Sequence, residues 1–157
     1  MTGFHLAQVN VGRLLAPVDD PRIDGFRNAL DRINALAEAQ PGFVWRLTGD
    51  GNNATDVRPD PADDLLAINA SVWETPEHLA AFAYRTEHRD FVRRRLEWFE
   101  KASEPIYALW WVPVGHRPDV AECLARLGRL RANGPTPHAF GFAQRFAPPS
   151  PDVEAAA

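Results

Sequence analysis

The order of strand-like and helix-like segments is the feature that most restricts what this chain can fold into. Alternating apolar residues are typical of a strand, and apolar residues at steps of three and four are typical of an amphipathic helix. These patterns follow one another in the order strand, helix, strand, strand, helix, strand. That order is the split βαβ, or ferredoxin-like, arrangement, so the predicted fold class is α+β. The segments are residues 4–11, 23–37, 43–48, 65–73, 75–103 and 106–114.

The rest of the sequence predicts an extension, a loop and a tail. Residues 118–132 form a further helical segment and residues 139–146 a short strand, which together make a C-terminal αβ extension. Residues 49–64 are mostly Gly, Asn, Asp and Pro with few apolar groups, which predicts a loop long enough to act as a mobile flap. We expect residues 1–146 to form a single domain, followed by a Pro- and Ala-rich tail, 147–157, without ordered structure.

Composition excludes several classes of function. With 157 residues, 45% of them hydrophobic, the chain is large enough to bury a core without disulfides. A net charge of −4 disfavours nucleic acid and anionic membranes as partners. The single cysteine, Cys123, falls on the apolar side of its helix and is expected to be an inert core thiol, which excludes Cys-rich zinc sites. No apolar run approaches the roughly 20 residues of a membrane span. The expected localisation is cytoplasmic.

The helical segment after the third strand carries two polar residues in an apolar surrounding. If residues 84–103 form one helix, at about 100° per residue, His88 and Arg95 lie two turns apart in the middle of the apolar arc. Thr86 is also a good helix N-cap, so the sequence leaves open whether the helix continues through it. The apolar arc holds Tyr84, Phe91, Val92, Leu96, Trp98, Phe99 and Ala102.

Two interpretations of His88 and Arg95 stay open, since burying either group without a partner costs free energy. In the functional interpretation both line a ligand pocket, with His88 as base, donor or metal ligand and Arg95 as an anchor for an anion. In the structural one, a carboxylate pairs with Arg95 and a backbone carbonyl with His88. The triple arginine of residues 93–95 is scattered around the helix among acidic residues, so we do not expect nucleic-acid binding.

Polar side chains also alternate with apolar ones on two predicted strands. Asn69 and Ser71 share a mixed face with Trp73, and Gln8 shares one with Asn10. The helices of this fold cover one face of the sheet, so a partner or a cavity must account for the other. If the polar residues lie on the uncovered face, with Trp45 and Trp73 beside them, they line an aromatic-rich pocket typical of small-molecule sites.

Several stretches of the sequence resemble known proteins. Residues 72–82 (VWETPEHLAAF) are similar to the strand-to-helix junction of the dimeric α/β-barrel superfamily, which includes antibiotic-biosynthesis monooxygenases. Other stretches resemble a bacterial domain of unknown function placed in that superfamily. They are His88 and residues 94–99 (RRLEWF), 110–118 (WWVPVGHRP) and 134–140 (GPTPHAF). The resemblance, over about residues 4–146, implies a ferredoxin-like protomer paired sheet to sheet into a homodimer, with a cavity in each subunit.

The resemblance implies two kinds of chemistry but settles on neither. Haem-degrading members use an Asn on the first strand, a Trp in the helix after the third strand and a downstream His that binds iron. Asn10 and His88 stand near the first and last positions, whereas Phe82 stands at the Trp position, so the triad is incomplete. Cofactor-independent monooxygenases instead use Asn and Trp in an aromatic pocket to polarise an electron-rich phenolic substrate. Asn10, Asn69, Trp45 and Trp73 match that description.

The leading hypothesis is a monooxygenase-like enzyme that acts on an aromatic or polyketide-like small molecule, without a required cofactor or metal. In it His88 accepts or donates a proton, Asn10 and Asn69 orient an oxygen atom, and Arg95 holds an acidic substituent. The alternatives are a haem protein with His88 as the axial iron ligand and a non-catalytic ligand-binding dimer. The other residues expected to line the pocket are Gln8, Trp45, Trp73, Phe82, Phe91 and Trp98.

Overall fold

The computed structural model describes residues 3–149 as one four-stranded antiparallel sheet with four α-helices. The strands lie in the order β2-β3-β1-β4, which is the ferredoxin-like order, so the predicted α+β class and strand arrangement are confirmed. The elements are β1 (Phe4–Arg13), α1 (Asp24–Glu38), β2 (Phe43–Arg46), β3 (Leu66–Trp73), α2 (Pro76–Arg85), α3 (His88–Arg93), β4 (Tyr107–Pro113) and α4 (Val120–Asn133).

The helix ends follow from capping residues that the sequence makes recognisable. Thr75 precedes α2, its hydroxyl accepts a hydrogen bond from the His78 backbone N–H at 3.2 Å, and Pro76 occupies the first turn. Asp119 caps α4 in the same way, since its carboxylate accepts from the Glu122 N–H at 2.8 Å. Gly134, with a φ of 70°, ends α4 in a conformation that glycine adopts without strain.

Both faces of the sheet are covered within one chain, which corrects the expectation of an uncovered face. Ala7, Val9 and Val11 of β1 point to one face. There they pack on a stripe of α4 that includes Leu127 and Leu130, so the C-terminal extension supplies a third layer. The opposite face carries Leu6, Trp73 and Leu109 and packs against α1 and α2. The reasoning from an open face to a barrel-type dimer therefore does not apply, and the homodimer stays a prediction.

The loop of residues 49–64 lies against the end of β2 and the α4 side of the sheet. The Arg46 guanidinium donates to the Asn52 carbonyl oxygen at 2.6 Å and to its side-chain oxygen at 2.9 Å. The Asp50 N–H donates to Asp56 at 2.8 Å, and Val57 packs on the same core as α4. The second half is also attached, because the Arg13 guanidinium pairs with Asp63 at 3.1 Å.

The helical segment after β3 is broken at Thr86, a point that the sequence leaves open, and α3 ends at Arg93, so the helix expected to run to Ser103 is wrong. Thr86 is extended, and its hydroxyl donates to the Phe82 carbonyl at 2.6 Å while accepting from the His88 N–H at 3.2 Å. The side chain thus ends α2 and starts α3, as Thr does where it competes with helical hydrogen bonding. A 3₁₀ turn, Arg95–Glu97, follows α3. Four residues of the predicted apolar arc are exposed: Tyr84, Val92, Leu96 and Ala102.

The predicted strand of residues 139–146 is also wrong. Only Phe140 pairs with β4, through an isolated bridge to Leu109. Beyond it, side chains take the place of a ladder, since the Phe142 N–H donates to the Tyr107 hydroxyl at 3.1 Å and Trp111 Nε1 donates to the Phe146 carbonyl at 2.8 Å. The αβ extension is therefore a helix followed by an irregular segment. Of the predicted tail, residues 150–157 lie outside the described residues.

Cys123 lies at the centre of the contact between α4 and the sheet. Its side chain is fully buried, in the cluster that also holds Leu127 and Leu130. Burial, together with the charges of Glu122 and Asp119, raises the pKa of the thiol to about 12. A thiol that stays protonated is a poor nucleophile, so the position behaves as a small core residue.

Leu127→Ala tests whether α4 is an integral layer. Leu127 is 1% exposed, so we expect the variant to lose about 2–5 kcal/mol of unfolding free energy through lost burial and the cavity left behind. Urea denaturation followed by circular dichroism measures this. Leu96→Ala is the control, because Leu96 is 60% exposed and should change stability little. Equal effects of the two substitutions would mean that α4 packs only loosely on the sheet.

Candidate functional site

Four polar side chains lie together in the middle of the sheet, on the face that packs against α1 and α2. We call them the amide patch: Gln8, Asn10, Asn69 and Ser71. The pairing of β1 with β3 sets Gln8 opposite Ser71 and Asn10 opposite Asn69, so the patch occupies two consecutive rows of this face. The face is the one that carries Leu6 and Trp73, and not the α4 face. The sequence predicts this grouping on the uncovered face, whereas the structure places it on the face that packs against α1 and α2.

A hydrogen-bond network joins the members of the amide patch. The Gln8 side-chain N–H₂ donates to Asn69 Oδ1 at 2.8 Å and to Ser71 Oγ at 2.7 Å. The Asn10 N–H₂ donates to Gln8 Oε1 at 3.3 Å and to Asn69 Oδ1 at 3.4 Å. Because each bond fixes the next side chain, the network holds the amides in one arrangement.

The network leaves hydrogen-bonding groups for a ligand. None of its four bonds uses the Asn69 amide nitrogen, with its two donors, or Asn10 Oδ1, an acceptor. Gln8 and Ser71 are each 7% exposed, whereas Asn69 is exposed and Asn10 half-buried, although they lie in paired strands. The patch is therefore buried at one end and reachable from solvent at the other.

An aromatic cluster borders the buried end of the patch. Trp73 lies one row beyond Ser71, and its indole Nε1 donates to Ser71 Oγ at 2.9 Å. The Trp73 ring stacks on Phe82 with centroids 5.3 Å apart, and Phe82 contacts the His88 ring at 4.6 Å. Trp73, Phe82 and His88 therefore connect in series to the amide patch, so these predicted site residues are brought together.

His88 has the backbone carbonyl partner that the structural interpretation expects, and its second ring nitrogen stays free to accept a proton or bind a metal. Its Nδ1 lies 3.2 Å from the Ala83 carbonyl oxygen, which accepts from the N–H of that nitrogen. Burial of the imidazole lowers the pKa of His88, and the bond to Ala83 opposes that shift only partly. The ring is therefore neutral near pH 7, and Nε2 is the nitrogen with a free lone pair.

A second aromatic cluster borders the solvent-exposed end. Its rings belong to Phe26, Phe91, Trp98 and Phe99, with neighbouring centroids 5.0–6.0 Å apart. Phe99 lies directly on Gly12, one row beyond Asn10, because a Cβ at Gly12 would be 2.6 Å from the Phe99 ring. Glycine at this position is what allows the ring to approach the strand.

Arg95 stands at the same end of the patch. One guanidinium nitrogen lies 3.3 Å from the place that a Gly12 Cβ would take, and the guanidinium carbon lies 5.4 Å from the Phe99 ring centroid. Its neighbours Arg93 and Arg94 pair with Asp90 and Glu97, whereas Arg95 makes no ion pair within residues 3–149. Partial burial lowers the pKa of Arg95, yet an arginine stays charged at neutral pH. The carboxylate partner of the structural interpretation is thus not seen in this part of the chain.

Trp45 does not belong to this site, which corrects its expected place beside Trp73. A β-bulge between Phe43 and Trp45 shifts the register, so Trp45 pairs with Val72 and points into the core on the α4 side. Because the bulge adds a residue, alternation along the sequence assigns the wrong face to Trp45.

The sequence does not predict that Arg46, Phe26 and Phe99 lie near the patch. Arg46 pairs with Ser71 in the sheet, its side chain is 8% exposed, and its buried Nε has no hydrogen-bond partner within residues 3–149. Phe26 and Phe99 contact each other at 5.1 Å although they are distant in sequence. Alternation on β3 predicts the face of Ser71, but no local pattern predicts either of these two contacts.

Protonation of His88 should destabilise the fold. A lowered pKa means that the folded state binds fewer protons than the unfolded one, so this contribution to stability is present above the ordinary histidine pKa of about 6.5 and is lost as the pH falls through the folded pKa. Between pH 7.5 and pH 5, urea denaturation should show a larger loss of unfolding free energy for the wild type than for His88→Gln. His138→Gln, at an exposed histidine, is the control and should follow the wild type. Parallel pH curves for all three would contradict the burial effect.

Within residues 3–149 no group of three or more His, Cys, Asp or Glu side chains is arranged to hold a metal ion, and none of the helices there is long and apolar enough to cross a membrane. No curated protein matches the sequence. A similar solved structure is that of a "putative Antibiotic biosynthesis monooxygenase" from Chloroflexus aurantiacus J-10-fl. It is 20% identical, with a TM-score of 0.44, over 73% of this chain and 97% of that one. The family model described as "Domain of unknown function (DUF3291)" matches residues 5–156, so the chain belongs to the DUF3291 family.

Proposed function

We propose that the chain is a small-molecule enzyme of the monooxygenase-like type, which binds a planar phenolic substrate over the amide patch. One observation carries the proposal. A fixed network of amides lies between two aromatic clusters, and its exposed end, Asn69, offers donors that the network does not use. Pockets with apolar walls and a few placed polar groups are typical of small-molecule sites.

The rows of the sheet are spaced so that one fused aromatic ring system over the amide patch could contact Asn69 and reach Arg95. Rows on one face of a strand are about 6.7 Å apart, so the row of Trp73 and the row of Gly12 are roughly 20 Å apart, with the patch between them. The Asn69 N–H₂ would donate to a phenolate or carbonyl oxygen, with Asn10 beside it. Arg95, at the Gly12 end, would hold an acidic substituent, because its guanidinium has no carboxylate partner in the described residues.

The reaction that fits these groups uses the substrate as its own reductant. A ring CH₂ group next to phenolic rings reacts with O₂ to give a ring carbonyl and water, so that one oxygen atom enters the product and the other leaves as water. The substrate carbon supplies all four electrons, and no metal or flavin is needed. A substrate that extends past Trp73 and Phe82 would give its first proton to Nε2 of neutral His88, which makes the ring electron-rich, and amide donors would stabilise the resulting oxyanion.

Asn69→Ala tests the role of the amide patch. With a hydroxylated anthrone as the substrate, we expect kcat/KM for O₂ consumption to fall by about 2- to 13-fold, the equivalent of one lost hydrogen bond of about 0.5–1.5 kcal/mol. An oxygen electrode measures uptake, and chromatography measures the ring carbonyl product. Asn28→Ala is the matched control, because Asn28 is an exposed asparagine on α1.

The outcomes of this experiment separate the candidate functions. Uptake that is equal in the wild type, Asn69→Ala and Asn28→Ala would place the reaction outside the patch. If the wild type binds the anthrone without O₂ uptake, and Asn69→Ala weakens that binding, the result supports the non-catalytic ligand-binding alternative. Neither binding nor uptake by the wild type would contradict the proposal for this substrate class.

A second candidate, haem binding, has one observation in its favour. The Nδ1–H of His88 is held by the Ala83 carbonyl, which leaves Nε2 as a lone-pair donor, and this is the usual arrangement of a histidine that ligates a metal. His88 would be the axial iron ligand, and the bound haem would supply oxygen or redox chemistry. The rings of Trp73 and Phe82 would form an apolar wall at that end of the site.

Haem titration tests this candidate through a spectrum rather than an activity. If His88 ligates the iron, wild type will show a shifted Soret band that saturates at one haem per chain, and His88→Ala will lose it. His116→Ala is the control, because His116 contacts Glu122 of α4, which covers the opposite face of the sheet. An unchanged haem spectrum with wild type, or an identical shift with His88→Ala, would exclude His88 as the ligand.

A further inference from the structure

Two of the segments that carry the family resemblance, residues 110–118 and 134–140, supply no member of the amide patch. They meet instead at an open groove of about 580 Å³ between β4 and α4. None of the side chains that line this groove belongs to the two aromatic clusters described above. Those with polar or charged groups are Trp111, His116, Glu122, Arg126, Arg129 and His138.

One stripe of α4 forms a wall of the groove. Glu122, Arg126 and Arg129 follow one another at steps of four and three, which places them on the same face of the helix, about one turn apart. His116 faces this stripe from the turn after β4. Gly115, with a φ of 93°, makes that turn possible, and the His116 N–H donates to the Pro113 carbonyl at 3.0 Å.

Donors from two directions already engage the carboxylate of Glu122. Its Oε2 accepts from the indole N–H of Trp110 at 3.0 Å, and its Oε1 accepts from His116 Nε2 at 2.6 Å. Trp110 is fully buried in the sheet, so this bond fixes the carboxylate to the core. Glu122 in turn fixes the imidazole of His116 at the rim of the groove.

The positive charges of Arg126 and Arg129 remain available to a ligand. Neither Arg126 nor Arg129 makes an ion pair with a carboxylate of residues 3–149. Arg126 donates one N–H to the His138 carbonyl at 2.9 Å, which orients the guanidinium and leaves its other donors for a ligand. The groove therefore carries more positive than negative charge, in a chain whose net charge is −4.

We infer that this groove binds the phosphate group of a small phosphate monoester, held by Arg126 and Arg129, with His116 beside it. Two guanidinium groups one turn apart present several N–H donors to a tetrahedral dianion, which arginine recognises better than a single ammonium does. The Glu122–His116 pair positions an imidazole at the edge of the same space. The inference does not depend on the amide patch or on the proposed oxidation.

Calorimetric titration at low ionic strength with phenyl phosphate and with inorganic phosphate tests the inference. Arg126→Gln and Arg129→Gln should each weaken binding by about 10- to 100-fold, the loss expected for a hydrogen bond to a charged group. Arg117→Gln is the matched control, because Arg117 is exposed next to the groove but does not line it. Its affinity should stay within twofold of wild type.

The two probes distinguish the sources of the phosphate group. Tighter binding of phenyl phosphate supports an ester, whereas equal binding of both probes supports a site for the free ion and overturns the ester. No binding of either probe at millimolar concentration, or equal losses in Arg117→Gln and Arg126→Gln, would overturn the site. Asn69→Ala should bind phenyl phosphate like wild type, so that failure of the proposed oxidation leaves this result unaffected.

Discussion

Strand β1 is the element on which the other layers depend, because it pairs with β3 on one side and β4 on the other. Its side chains alternate with a period of two, so a single register assigns Ala7, Val9 and Val11 to the α4 side and Leu6, Gln8 and Asn10 to the side of α1 and α2. A shift of one residue would bury the amides against α4. Because packing against α4 requires apolar side chains on one face of β1, the polar side chains of the site are placed on the other face.

Alternation also explains which parts of the site can be predicted from sequence. Gln8, Asn10, Asn69 and Trp73 share a face because nothing interrupts β1 or β3, and the structure keeps them together. The predicted place of Trp45 is wrong because one bulged residue reverses the faces of β2. The covering of the second sheet face by α4 depends on how a separate element docks, which the local pattern does not contain.

The prediction that His88 and Arg95 share one face of one helix is wrong for a different reason. A helical wheel assumes that backbone hydrogen bonds continue, whereas the Thr86 hydroxyl replaces them at one position. His88 and Arg95 consequently reach opposite ends of the amide patch rather than one face of one helix. The contact of Phe99 with Gly12 depends on an absent Cβ, which is a property of two segments and not of either one.

The fully buried thiol of Cys123 has a practical consequence. With its pKa raised to about 12 and no solvent contact, it reacts with an alkylating reagent only after α4 has separated from the sheet. Because the chain has a single cysteine, the labelling rate measures how often α4 separates from the sheet. It also means that a cysteine introduced on the surface would be the sole fast-reacting thiol, so a probe could be attached beside either site without removing a native residue.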